Sequence, residues 1–250
     1  GGTFTDVVLI DSNGRIWTHK VPSTPPDFEQ AVLNAVQHLL ETVEEAGAVV
    51  REVAHGTTVA TNTLLERKGA TVGLITTEGF RDLLELREGL KEDRYNLRMT
   101  PVKPLAPRYL RHTLPERIRS DGKVETPLDM ASLDPILDAF EKEHVETIAV
   151  CLLFSYVNPE HEQAVASRLR QRFPDTFVSL SHQVIPQIKE YDRLSTTAVN
   201  AYIGPVYTRY LHNMKDQIEA AGLKKDILTM SSNGGVTTLD MAGQQAVQAI

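Results

Sequence analysis

The regular alternation of short apolar runs with longer amphipathic ones constrains the fold most. Ala70–Thr76, Thr147–Phe154 and Thr176–Ser181 are strand-length runs. Around and between them, Gly79–Glu88, Leu133–His144, Pro159–Phe173 and Ile188–Ala221 carry apolar residues at helical spacing. A run such as Ile148-Ala149-Val150-Cys151-Leu152-Leu153-Phe154 is apolar on both faces of a strand, so both faces need cover. Crossover helices give that cover to a parallel sheet, and the pattern therefore predicts an α/β fold. Within it, Cys151 is expected to be a buried thiol. A lone cysteine excludes a disulfide framework and fits a reducing cytosol.

The first part of the chain starts differently. Val7–Asp11 and Arg15–Val21 are strand-like, and Asn13-Gly14 between them signals a hairpin. Gly1-Gly2-Thr3-Phe4-Thr5-Asp6 stands ahead as a turn, and a strand leading into it is expected upstream. A helix follows Asp27, carrying Phe28, Ala31, Val32, Ala35, Val36, Leu39, Leu40 and Val43 and closing at Gly47. Arg51–His55 reads as a short strand and Thr57–Lys68 as a helix closed by Gly69. Residues 90–130 break the rhythm with Pro101, Pro104, Pro107, Pro115 and Pro127. They read as an inserted excursion around a hairpin, Leu114–Ile118 against Lys123–Thr126 across Ser120-Asp121-Gly122. The long helical stretch is expected to break at Gly204-Pro205, since proline disfavours helical geometry in the residue before it. Asp226–Met230 reads as a strand, and Thr238–Ile250 as carrying no closing element.

A net charge of −7 without a Lys/Arg run argues against nucleic acid or an anionic membrane as partner. No apolar run reaches the roughly 18–20 residues that span a bilayer. The Walker, Rossmann, C-x-x-C and H-E-x-x-H patterns are all missing.

Chemistry concentrates in polar turns at strand ends, where ligands bind in open α/β sheets. In Gly1–Asp6 the glycines allow close approach of backbone N–H groups to an anion, and Thr3 and Thr5 add hydroxyl donors. His55-Gly56-Thr57-Thr58 reads either as a strand-to-helix turn with a Thr cap or as a site. In the second case His55 is an acid, base or donor, and the N–H groups at the helix start cradle an anion or carbonyl. Asn62 lies one helical turn beyond Thr58 and can face the same ligand. Ser231–Gly235 is the third such turn, with Asn233, Gly234 and Gly235 as binding candidates. Glu190, Asp192 and Arg193 open the long helix, where carboxylates either offset the macrodipole or face a substrate. Tyr202, Tyr207 and Tyr210 read as packing residues, and His161, His182 and His212 as surface or isolated core histidines.

Taken in order, these stretches resemble the hydantoinase A/oxoprolinase family. Gly1–Asp6 is similar to the end of its D-x-G-G-T-F-T-D motif, and His55–Asn62 resembles H-G-T-T-x-A-T-N. Gly73–Asp82 resembles G-L-I-T-T-x-G-F-x-D, Arg193–Ala201 R-x-S-T-T-x-x-N-A, and Met230–Gly235 M-x-S-x-G-G. The resemblance covers essentially the whole chain. It implies an RNase H-like ATPase fold of the actin, sugar-kinase and heat-shock-chaperone type, incomplete at both ends. Residues 1–185 would form the N-terminal region, with the excursion at about 90–130, and 186–250 the start of a core domain. It further implies an ATP-binding subunit, using Mg²⁺ or another divalent metal held by unknown ligands, in a cytoplasmic complex with a hydantoinase B-type partner. The expected reaction opens a cyclic amide (a hydantoin, 5-oxoproline or a lactam) after phosphorylation of its carbonyl oxygen. The competing readings are a ketone carboxylase subunit and a non-catalytic nucleotide-gated module. Under the resemblance Gly1, Gly2, Thr3, Thr5, Asp6, Asn233, Gly234 and Gly235 would bind nucleotide. His55, Thr57, Thr58, Asn62 and Arg193 would serve the substrate or phosphoryl-transfer side. The Asp that the family pattern places ahead of the glycines is not in this sequence, so the chain by itself is expected not to turn over ATP.

Overall fold

Val72–Thr77 (β4) and Thr147–Cys151 (β8) are buried at every position, as strands covered on both faces must be. They lie side by side and parallel in a four-stranded sheet, flanked by Arg111–Leu114 (β5) and Phe177–Leu180 (β9), in the order β5-β4-β8-β9. This is the sheet of a computed structural model that describes residues 3–25, 27–43, 50–89, 93, 95–100, 102–223 and 225–250. The chain divides into two compact units, Gly69–Pro205, which holds this sheet, and Gly1–Lys68 with Val206–Ile250.

In the sheet unit, Leu133–Lys142 (α4) and Glu160–Arg172 (α5) pack Leu133, Ile136, Leu137, Phe140, Val165 and Leu169 onto Ile75, Ile148 and Val150. Gly73 in β4 is required by this packing, because a Cβ there would come within 2.8 Å of the Phe140 ring. The helix expected over Gly79–Glu88 shrinks to Leu83–Leu86 (α3), since Gly79 and Arg87 both take positive φ. The excursion is also smaller than expected. Arg111–Leu114 leaves it to join the main sheet, so the hairpin is Arg117–Ile118 (β6) against Val124–Thr126 (β7), turning at Gly122. Leu110 and Leu114, both fully buried, anchor that edge strand.

In the other unit, Phe4–Ile10 (β1) pairs antiparallel with Ile16–Pro22 (β2) along its whole length. The turn read over Gly1–Asp6 therefore ends sooner. Phe4, Thr5 and Asp6 are strand residues opposite Pro22, Val21 and Lys20. Phe28–Thr42 (α1) buries Ala31, Ala35 and Leu39. Its first turn is tied by Thr24, whose hydroxyl accepts from Ala31 N at 3.1 Å, and not by the Asp27 side chain. The close of α1 expected at Gly47 lies outside the described residues. Val53–His55 (β3) runs parallel to Ile227–Met230 (β10), which pairs with Val236–Thr238 (β11). Val59–Leu65 (α2) follows β3. Beyond β11, Leu239–Gln244 (α8) and a 3-10 turn over Ala246–Ala249 supply closing elements that the sequence reading left out.

Ser181–Val184 (α6) leads into Glu190–Ala220 (α7), one continuous helix with Pro205 inside it, where a break was expected. Proline removes one backbone donor, yet the helix continues through it. Gly204 lies so close to the Phe177 ring that a Cβ would sit 2.3 Å from it. The boundary between the compact units falls at Pro205, so the residue marks a division of contacts without interrupting the helix.

Candidate functional site

β1, α1, β3 and the second half of α7 enclose a cavity of about 480 Å³. Consecutive residues of both strands line it, Thr5 to Leu9 on β1 and Val53 to His55 on β3, with Glu52 just before it. Consecutive residues alternate in face, so the cavity runs along the strand edges. Neither edge carries a strand partner among the described residues. One part of the lining is apolar, with Val32, Ala35, Val36 and Leu39 of α1 and Ile218 and Leu223 beyond. The other is polar and gathers Thr5, Asp6, His55, Thr57, Thr58, Asn62 and Tyr210.

Much of the expected constellation therefore meets in one place. His55 ends β3, where a parallel pair with β10 fixes it opposite Thr229. Gly56 then turns the chain, and Thr57 accepts a hydrogen bond from Val59 N at 3.2 Å. Thr58 occupies the cap position of α2, but its hydroxyl accepts from the Asn62 side chain at 3.4 Å instead of from the helix backbone. Thr5 points inward and shares a hydrogen bond with Ser23 at 3.2 Å, whereas the Asp6 carboxylate forms an exposed ion pair with Lys20 at 3.1 Å. Gly1 and Gly2 lie outside the described residues, and Thr3 is exposed.

The sequence reading missed the role of Tyr210. It is 7% exposed, and its hydroxyl lies 2.8 Å from His55 Nε2, a contact across α7 and β3 that no local spacing announces. Burial pushes the His55 imidazole down to about 4 and the Tyr210 phenol up to about 12, so both are neutral near pH 7. This carries a stability consequence. The unfolded chain takes up a proton on His55 near its ordinary 6.5, while the folded chain resists it until about 4. The unfolded state therefore binds more protons in that window, and stability falls as pH drops through it. Denaturation midpoints measured across pH 7 to 4 should show this acid-side slope, and His55→Gln should flatten it.

The remaining candidates lie elsewhere. In Ser231–Gly235 the N–H groups of Ser231, Gly234 and Gly235 already donate, to Gly235 O, Ser231 O and the Asn233 side chain, as in a hairpin turn between β10 and β11. Gly234 takes a φ of +85°, which explains the glycine. Arg193 is fully buried inside the sheet unit. Its guanidinium donates to Glu190 at 2.6 Å, to Leu152 O at 3.2 Å, to Ser181 at 2.5 Å and to Ser155. Glu190 is held above the usual carboxylate range by burial, against the pull of Arg193, and Asp192 sits near Lys189 at 3.9 Å. Next to Arg193, the buried Glu162 carboxylate accepts from Leu152 N, Ser181 Oγ, His182 N and His182 Nδ1. Glu116 binds His161 at 2.7 Å and Thr77. His161 and His182 are thus partners of buried carboxylates, where isolated histidines were expected. Cys151 is buried as expected, and desolvation pushes its thiol up to about 12. Among the described residues no group of three or more His, Cys, Asp or Glu could hold a metal ion. No helix among them is long and apolar enough to cross a membrane.

A family model described as the hydantoinase/oxoprolinase N-terminal region matches residues 1–173, and one described as hydantoinase/oxoprolinase matches residues 193–250. The chain belongs to the hydantoinase/oxoprolinase family. It is 40% identical to the caprolactamase subunit alpha of Pseudomonas jessenii over 100% of this chain and 37% of that protein. It is 32% identical to the acetophenone carboxylase gamma subunit of Aromatoleum aromaticum over 94% of this chain and 34% of that protein. The crystal structure of ATP-dependent caprolactamase from Pseudomonas jessenii superimposes with a TM-score of 0.87, covering 100% of this chain and 37% of that one. The chain thus spans little more than a third of these relatives' length. The α/β, actin-like ATPase fold that the resemblance implied is the fold of this hydantoinase/oxoprolinase chain.

Proposed function

We propose that this chain is the ATP-binding part of an enzyme that hydrolyses cyclic amides. The observation that carries the reading is the 40% identity to a caprolactamase subunit along the whole chain. The gathering of His55, Thr57, Thr58 and Asn62 on one cavity supports it. We take the polar end of that cavity as the site.

The residues present suit a nucleotide or carbonyl ligand in part. Thr5, Thr57, Thr58 and Asn62 offer hydroxyl and amide donors, but among the described residues the lining contains no lysine or arginine. Phosphate charge at this end therefore calls for a divalent cation, which we take to be Mg²⁺, or for cationic groups supplied by the rest of the protein. Bound ATP would supply a phosphoryl group that turns an amide oxygen into a better leaving group. This chain's own contribution is positioning: Thr58 and Asn62 brace each other, and His55 is held neutral against Tyr210. Arg193 and the Asn233–Gly235 turn are assigned supporting roles, since their donors are engaged within the fold. A hydantoinase B-type partner and a cytoplasmic location complete the proposal.

The test is a substrate panel on the full-length protein with its partner subunit. A lactam, a hydantoin or 5-oxoproline should be opened in step with ADP release. Incorporation of labelled bicarbonate into a ketone, with no ring opening, would replace this reading with the carboxylase one.

A further inference from the structure

We infer that the ligand is seated against Nδ1 of His55 and the bare backbone of Gly56, and that Tyr210 is the positioning residue that makes Nδ1 the nitrogen on offer. The parallel pairing of β3 with β10 fixes the His55 backbone opposite Thr229. It does not fix the ring, because the last torsion of a histidine is broad and roughly two-fold. The phenol oxygen of Tyr210, 2.8 Å from Nε2, removes that freedom. The choice holds whichever group supplies the proton, since in either case Nε2 is spent inside the protein. Nδ1 makes no hydrogen bond among the described residues and is still open to solvent.

Tyr210 is itself held firmly, 7% exposed on α7. One helical turn earlier the Tyr207 hydroxyl lies 3.3 Å from Thr229 Oγ1. Thr229 is the register partner of His55, so two phenols on one face of α7 meet two residues that lie side by side on adjacent strands. The rings of His55 and Tyr210 are tilted by 40° with centroids 5.8 Å apart, so they meet through the polar bond and are not stacked.

A second observation points to the same spot. Gly56 follows His55 and lines the same cavity. Its φ is not among the positive ones, and an added Cβ would make one ordinary contact, 3.8 Å from Met230 Sδ. Neither the turn nor the packing therefore requires glycine here. Close approach of a ligand to the backbone does require it. A flat amide group can lie against a bare Cα where a methyl group would hold it off. This seat rests on the reading of the polar end as the site for a cyclic amide; the orientation of the His55 ring does not.

The experiment uses the full-length protein with its partner and ε-caprolactam as the probe. Gly56→Ala should leave the denaturation midpoint unchanged and raise KM about tenfold or more. Tyr210→Phe should lower kcat about tenfold, equal to about 1.4 kcal/mol. Tyr207→Phe, which loses the same group from a contact outside the cavity lining, should stay within about twofold. In a His55→Ala background Tyr210→Phe should cost nothing further, because the phenol acts through the imidazole. In the native protein, nuclear Overhauser contacts should run from the Tyr210 ring to both C–H groups of the His55 ring, since both flank Nε2. An unchanged KM or a loss of stability in Gly56→Ala overturns the seat. Contacts to Hε1 alone, equal losses in the two tyrosine variants, or a further tenfold loss in the His55→Ala background overturn the role of Tyr210. Full turnover by His55→Ala would instead defeat the substrate-site reading, with the ring contacts still standing.

Discussion

Replacing Arg193 by methionine should destabilise the Gly69–Pro205 unit by about 3–5 kcal/mol, the cost of breaking a buried ion network by removing one partner. Arg193 is fully buried, and so is Glu162, whose carboxylate lies 4.0 Å from the guanidinium. Methionine fills much of the volume but leaves the Glu190 carboxylate, the hydroxyls of Ser155 and Ser181 and the Leu152 carbonyl without their shared donor, and the Glu162 carboxylate without its neighbouring positive charge. The Tyr156 ring, whose centroid lies 5.1 Å from the guanidinium, loses its cation as well. Glu162 holds the amides of Leu152 and His182, so hydrogen exchange at those two positions should accelerate first. Adding Glu162→Gln to Arg193→Met should recover part of the loss, because the stranded buried charge is then removed. A double-mutant coupling near zero would show that the two charges act independently, and normal stability of Arg193→Met would remove the structural role given to this arginine.

The contrast between Arg193 and His55 shows what sequence could and could not supply. The alternation that announces β4, β8 and β9 is a local property, since each run must bury both faces wherever it lies. The hairpin at Asn13-Gly14 is local too, because positive φ at Gly14 is a demand of the turn itself. Gathering His55, Thr57, Thr58 and Asn62 needed only that polar turns collect at strand ends, whereas Thr5 reaches the cavity from within β1. The relations that escaped are long-range. Arg111–Leu114 becomes a strand because β4 offers an edge, although prolines surround it in sequence. Pro205 sits inside a continuous helix, although its own residue type argues for a break. Glu162 with His182, Glu116 with His161 and Tyr210 with His55 join residues that no periodicity links. Arg193 was identifiable as a residue of consequence, but whether its charge faces a ligand or a buried carboxylate is decided by tertiary structure.

For His55 the expected result is a loss of about 100-fold to 1,000-fold in kcat in His55→Ala, measured in the full-length protein with its partner. That is the range for removing one donor aimed at developing negative charge. KM should change little, because such a donor matters more in the transition state than in the bound substrate. His55→Gln separates the two chemical roles open to an imidazole. A glutamine amide can donate a hydrogen bond but cannot accept a proton near neutral pH. If His55 is a neutral donor, the glutamine variant should turn over about tenfold faster than the alanine variant. If it is a general base, the two should be equally slow. The pH profile gives an independent reading. With the imidazole held down to about 4, the native rate should show no acid limb from His55 between pH 8 and about 5. Equal loss in both variants together with a limb near the ordinary 6.5 would mean that the ring titrates freely and acts as a base. The neutral pair formed with Tyr210 would then not describe the working enzyme.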